Sequence, residues 1–247
     1  MKLKLLQPIK PFAIIQPFGV NGEYYQEHGI NIKGHNGLDL HATHGQPVYA
    51  AHDGFAYYEW DSSQGEGVVI RSKEQAEVDG VLTYYKTIYW HMVDSVKEPK
   101  YKSPITCLDW NSKGQEVKAG DLIGYADSTG FSTGDHLHFG LKPISTGETL
   151  GGVTNPNQNN GYGGAINPAP YIVYPNFVFE KDLSYGMTDP DVVQLQQRLR
   201  LPVELWTGYF GLRTALTLAL FQLGNGIKPV GVRYGKLDEN TRRVINA

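Results

Sequence analysis

Eight histidines stand at positions 28, 35, 41, 44, 52, 91, 136 and 138, so all imidazole chemistry open to this 247-residue chain lies in its first 138 residues. His136-Leu137-His138 has the spacing that puts two side chains on one face of a strand. His35-Asn36-Gly37-Leu38-Asp39 offers an imidazole and a carboxylate four apart. Gly34 and Asn36-Gly37 oppose a helix there, so a turn must hold the pair. Together, His35, Asp39 and one of His136 or His138 supply two neutral ligands and one anion. That is a donor set of catalytic zinc centres, which keep a fourth position open for water. Such an ion lowers the pKa of its water to about 7. The other histidine of the pair then stands beside the metal, where a general base or a donor to an oxyanion is needed. Spacing alone leaves open which of the two is the ligand. His91, in Tyr89-Trp90-His91-Met92, is a third candidate for the same face.

The elements that must position these groups are strands. Gly67-Val68-Val69-Ile70-Arg71 and Thr83 to Trp90 are rich in β-branched and aromatic residues, and Gly, Asn and Asp punctuate residues 12 to about 142. No convincing helical period precedes residue 185. The front part therefore reads as a mainly antiparallel β domain. Two excursions interrupt it, 98–112 and the Gly/Asn-rich 145–167. Composition then switches. Asp189-Pro190-Asp191 starts a helix continued by Val192, Leu195, Gln196 and Leu199. Further helices are expected over about 212–223 and 239–245. Gly208 to Thr214 and Gly235 to Thr241 form an internal repeat, a turn feeding a capped helix, 27 residues apart. These features place a β domain over 1–178 (core about 12–175) and an all-α three-helix domain over 179–247, the boundary falling after Pro175-Asn176-Phe177.

Composition narrows the function. Hydrophobic residues at 40% and charged residues at 19% describe a globular chain, and a net charge of −3 excludes a strongly basic nucleic-acid binder. The single Cys107 permits neither an intrachain disulfide nor a thiolate zinc cluster and reads as inert. No membrane span is expected. His28, His41, His44 and His52 read as surface or loop residues, with His41 and His44 near the rim of the site. Tyr57, Tyr58, Tyr84 and Tyr85 read as core or sheet face.

The order of the motifs resembles the lysostaphin-type zinc metallopeptidases. It runs His35-Asn36-Gly37-Leu38-Asp39, Tyr89-Trp90-His91, Gly114 to Gly124, then Ser132-Thr133-Gly134-Asp135-His136-Leu137-His138-Phe139. The resemblance covers about residues 12–175. It implies one zinc ion held by His35, Asp39 and His138, His136 as general base, and His91 as the group that polarises the scissile carbonyl. Asp135 and Gly140 depart from the family pattern, and neither is a ligand. The tail resembles the small three-helix peptidoglycan-binding module through Asp191 to Leu199, Gly208 to Thr214 and Phe221-Gln222.

The expectation is a monomeric peptidoglycan endopeptidase that cuts stem peptides or cross-bridges and lyses the wall. Gln7, Pro8, Lys10 and Pro11 break any export signal at the N-terminus. That favours a phage endolysin made in the host cytoplasm over an exported bacterial remodelling enzyme. A non-catalytic wall-binding or activator protein is one rival, and would hold no zinc. A phosphocarrier-like module is another, since Val117 to Gly124 resembles carrier hairpins; it would use histidines without a carboxylate ligand.

Overall fold

The structure is a computed structural model that describes residues 1–145, 148–173, 177–202, 205–228 and 234–246. Pro175 and Asn176 of the expected boundary, and 146–147 of the expected loop, lie outside the described residues. Two compact units emerge: Met1–Lys10 with Ile15–Val173, and Pro11–Ile14 with Tyr174–Ala247.

The first unit is built on one large sheet. Its strands are β1 (Ile14–Gln16), β2 (Leu38–His41), β4 (Gly54–Asp61), β5 (Gly65–Ser72), β6 (Ala76–Val78), β7 (Val81–Met92), β8 (Gln115–Val117) and β10 (His136–Ile144). Their order is β1-β2-β10-β7-β5-β4-β8, with β6 hairpinned onto β7. The pairings from β2 to β8 are all antiparallel. β3 (Pro47–Tyr49) and β9 (Leu122–Tyr125) form a separate two-stranded ribbon.

The central strand β5 is buried at every position, so it has no solvent face. The two excursions explain why. Leu150 and Val153 of one, and Cys107 of the other, pack on Phe55, Tyr57, Val69 and Ile88. Cys107 also accepts a backbone hydrogen bond from Tyr58 N at 2.8 Å, which occupies the β4 edge beyond β8. Each fully buried apolar side chain of this kind contributes about 1.5–3 kcal/mol. The opposite face carries Leu38, Leu40, Val68, Tyr89, Leu137 and Phe139, all fully buried.

A helix does occur before residue 185: α1 (Gly22–Glu27). Six residues make too short a run to show a helical period, and it has no buried residue to supply one. His52 also departs from expectation. It is 4% exposed, with Nδ1 on Asp53 O and Nε2 on Thr87 Oγ1, which continues to the Tyr89 hydroxyl. A sequence of apparent loop character, Ala51-His52-Asp53-Gly54, thus carries a core side chain.

The second unit holds α2 (Pro190–Arg198), α3 (Leu212–Gly224) and α4 (Glu239–Ile245). Asp189 caps α2 through Asp191 N, and Asp238 caps α4 through Thr241 N. Phe179, Leu183, Val192, Leu195, Phe210, Leu218, Leu237 and Ile245 form its core. The sequence repeat has a structural counterpart in two buried glutamines. Gln196 bonds Gly208 N, Tyr209 O and Thr214 Oγ1; Gln222 bonds Gly235 N, Lys236 O and Thr241 Oγ1. Each amide thereby ties one helix to the turn that starts the next. Among the described residues no helix is long and apolar enough to cross a membrane.

Two outcomes follow from these buried polar groups. Gln222→Ala removes the bonds to Gly235 N, Lys236 O and Thr241 Oγ1 and costs about 1–3 kcal/mol, read as faster amide exchange at Gly235 and along α3 and α4. Burial holds His52 down at about 4, from its ordinary 6.5. Between those values the unfolded chain takes up a proton that folded His52 refuses, so stability falls with acidification, by about 3 kcal/mol in all. His52→Gln flattens this limb when urea midpoints are followed against pH.

Candidate metal centre

The site is assembled by the β2–β10 register, which sets His138 directly opposite Asp39 and His136 opposite His41. His35 joins from the turn preceding β2. Its backbone N–H donates to Val20 O at 2.8 Å, and its ring Nδ1–H donates to Pro17 O at 3.1 Å. The His35 Nε2 lone pair therefore faces the pocket.

The resulting triangle is tight. His35 Nε2 lies 3.0 Å from Asp39 Oδ1 and 3.0 Å from His138 Nδ1, and His138 Nδ1 lies 3.1 Å from Asp39 Oδ1. Tetrahedral zinc with bonds near 2.1 Å needs ligand atoms about 3.4 Å apart. Two imidazole nitrogens and a carboxylate oxygen on one small triangle fit that ion. His136 stands just outside it, with Nε2 3.6 Å from Asp39 Oδ1. Its Nδ1 is held at 2.7 Å by Gly134 O, so its Nε2 also faces the pocket.

His91 reaches this pocket by breaking strand alternation. Trp90 pairs with His138 and shares its face, so a regular β7 would turn His91 away. Instead His91 has φ 63°, and the β5–β7 register shifts beside it between Glu66 and Gly67. A left-handed non-glycine residue costs on the order of 1 kcal/mol or more. Asp127 N donates to His91 O at 2.8 Å, and the His91 Nδ1–H donates to Thr129 O at 2.7 Å, which hold it there. The His91 and His136 rings end 4.6 Å apart.

Burial pushes the Asp39 carboxyl up, but hydrogen bonds and charge from His138 and His35 prevail and hold it well below the usual carboxylate range. Burial, reinforced by His138, pushes His91 down to about 4. Burial likewise lowers His138, against the pull of Asp39. At His91 and His138 burial thus favours the neutral imidazole, the form in which histidine ligates metal.

The pocket above the triangle measures about 150 Å³ and is also lined by Tyr24, Tyr25, Gln64 and Phe131. Tyr25 lies parallel to the His35 ring, with centroids 6.1 Å apart. Sequence reasoning missed Tyr25 because it sits on the short α1. It also read Gly37 only as a turn residue. A Cβ at Gly37 would lie 2.6 Å from His138 Cε1, so the glycine makes room for the ring.

The other histidines stay outside the triangle. His28 and His41 are exposed. His44 is exposed as well, and its two ring nitrogens reach Asp127 at 2.8 Å and Glu98 at 3.2 Å. The Asp127 hydrogen bond, helped by Glu98, raises its pKa. With each nitrogen committed to a different carboxylate, this cluster links two loops.

A His/Asp/His triangle built on the β2–β10 pair and the turn before it, with two more imidazoles at its edge, is a group that could hold a metal ion. The sequence model of Peptidase family M23 matches residues 33–156, and the chain belongs to that family. Among similar proteins, the glycyl-glycine endopeptidase ALE-1 of Staphylococcus capitis is 34% identical over 111 residues, 45% of this chain and 25% of that protein. The DD-carboxypeptidase/endopeptidase Mpg of Neisseria meningitidis serogroup B is 30% identical over 137 residues, 54% of this chain and 25% of that protein. The catalytic domain of the antimicrobial peptidase lysostaphin from Staphylococcus simulans aligns with TM-score 0.39 and 25% identity, covering 65% of this chain and 87% of that one. The matched segment spans about a quarter of the length of the two curated relatives.

Gly37→Ala is expected to displace the His138 ring and weaken zinc binding at least tenfold. Competition with a chromophoric chelator measures this.

Proposed function

We propose that this chain is a zinc-dependent endopeptidase that hydrolyses amide bonds in the stem peptides or cross-bridges of peptidoglycan, with its C-terminal unit anchoring it to the wall. The observation that carries the reading is the triangle of ligand atoms with the Nε2 atoms of His136 and His91 turned toward the same pocket. The relatives' names, one a glycyl-glycine endopeptidase and one a DD-carboxypeptidase/endopeptidase, support a wall peptide as substrate.

His35, Asp39 and His138 would hold the ion. When bound, zinc supplies Lewis acidity toward a carbonyl oxygen and lowers the pKa of water. The protein's own groups do the proton work. His136, with Nδ1 committed to Gly134 O, takes the proton of the attacking water on Nε2 and returns it to the leaving amine. His91, with Nδ1 committed to Thr129 O, meets the tetrahedral centre through Nε2 and donates there only when it carries a second proton. The strand framework fixes both rings before substrate arrives, which lowers the cost of ordering them.

The C-terminal unit has no histidine, cysteine or metal-type cluster among its described residues, in keeping with binding without chemistry. Tethering of this kind raises the local concentration of enzyme on an insoluble substrate.

His138→Ala is expected to abolish wall lysis and bound zinc together, while the full chain still co-sediments with walls. Undiminished lysis by that variant overturns the reading. His136→Ala should retain zinc yet lose about 10²–10⁴ in kcat. Mass spectrometry of the released muropeptides identifies the bond cut.

A further inference from the structure

His44 lies outside the metal triangle, in the turn between β2 and β3, yet it holds three groups from two other segments. Its Nδ1 is 2.8 Å from Asp127 Oδ1, and its Nε2 is 3.2 Å from Glu98 Oε2. Its backbone N–H donates to Asp135 Oδ2 at 3.1 Å. Asp127 and Asp135 stand near the two ends of the segment that joins β9 to β10, so one residue gathers both ends of that segment.

The same segment orients His136. Asp127 O accepts from His136 N at 3.1 Å, and Asp127 N donates to His91 O at 2.8 Å. Gly134 O, beside Asp135, holds His136 Nδ1 at 2.7 Å. The part of the segment that serves His91 has moorings of its own. Thr129 Oγ1 donates to Met92 O at 2.6 Å and accepts from Glu66 N at 3.1 Å, and Phe131 N donates to Ser63 O at 2.6 Å. The side chains of Asp127 and Asp135, which flank the His136 end, are bonded to His44.

Imidazole chemistry sets the charge state that this arrangement needs. Neutral histidine has one N–H and one lone pair, and only the imidazolium donates from both nitrogens. With a carboxylate at each nitrogen, deprotonation turns a lone pair toward an anion and breaks one of the two contacts. Asp127 and Glu98 face the ring nitrogens. The Tyr101 ring stands nearly perpendicular to the imidazole with centroids 5.2 Å apart, and Lys100 Nζ lies 4.6 Å over the Tyr101 ring. The Asp127 hydrogen bond leads in raising the His44 pKa, against some loss of solvation, and Glu98 adds to it. The clamp is therefore complete below that raised value and is lost as the pH climbs through it.

We propose that His44, as an imidazolium, is a positioning residue for His136: it ties Asp127 and Asp135 to one point and so fixes the backbone that aims His136 Nε2 into the pocket. This rests on the peptidase reading above and deepens it, placing an alkaline limit on the reaction outside the metal centre.

The test follows the zinc-loaded full chain across pH by ring-nitrogen NMR and by initial rates of muropeptide release at varied wall concentration. Both His44 nitrogens should carry protons at neutral pH. The His136 ring signals should show a step at the His44 midpoint, those of His91 should not, and the maximal rate should fall above that midpoint. His44→Gln should remove the step and the fall, and lower kcat about tenfold at neutral pH with KM and zinc content unchanged. His44→Arg, a permanent cation with several donors, should keep the rate and carry it to higher pH. A singly protonated His44 at neutral pH, His136 signals indifferent to it, or a Gln variant with the wild-type rate and pH profile overturns the proposal. So does loss of zinc along with rate in the Gln variant, which would make His44 merely structural. A His136 response to His44 in a chain that releases no muropeptide leaves the clamp standing and overturns the peptidase reading instead.

Discussion

The functional site depends on one strand pairing. The β2–β10 register sets Asp39 across from His138, and every other feature of the triangle is built on that opposition. A shift of one residue would put Leu137 opposite Asp39 and send both histidines into the apolar layer on the far face. That outcome is opposed by Leu38, Leu40, Leu137 and Phe139, whose burial holds the register. The chemistry is therefore secured by the hydrophobic effect on one side of the sheet and displayed on the other.

Hydrogen bonds from the second nitrogens decide how the imidazoles face the pocket. Pro17, Gly134 and Thr129 each present a carbonyl to a ring Nδ1, on His35, His136 and His91. Three carbonyls thus select three tautomers and aim three Nε2 atoms at one place. The left-handed backbone at His91 serves the same end, spending local strain to bring a side chain to the face that strand alternation assigns to Trp90. The two long excursions matter because they cover the same face. Leu150 and Val153 pack there against Val69 and Ile88 and close the sheet face beyond Trp90.

Much of this was legible in the amino-acid order, and for physical reasons. His-x-His on a strand shares a face whatever the fold, and a turn of Gly and Asn brings His35 and Asp39 together locally. The helices of the C-terminal part announced themselves through Asp189 as a cap, through the repeated turn that feeds a capped helix and through apolar spacing; the structure adds Asp238 as the cap of α4. The repeat was visible as Gly and Thr at matched positions, and the structure adds the buried Gln196 and Gln222 that make the repeat cohesive. His52 misled, because its flanking Asp53-Gly54 carries a turn composition while Thr87 and Tyr89, distant in sequence, enclose the ring.

Sequence alone determined the donor types, the strand-rich frame and the composition break before the helical part, since these rest on local periodicity and side-chain chemistry. Which of His136 and His138 meets Asp39 and His35 was not a local matter; it followed from cross-strand register across roughly a hundred residues. The same holds for the entry of His91, which needs a bulge, and for the clearance that Gly37 gives His138. Each is a contact between segments far apart in the chain, where only packing of the whole sheet sets the distance.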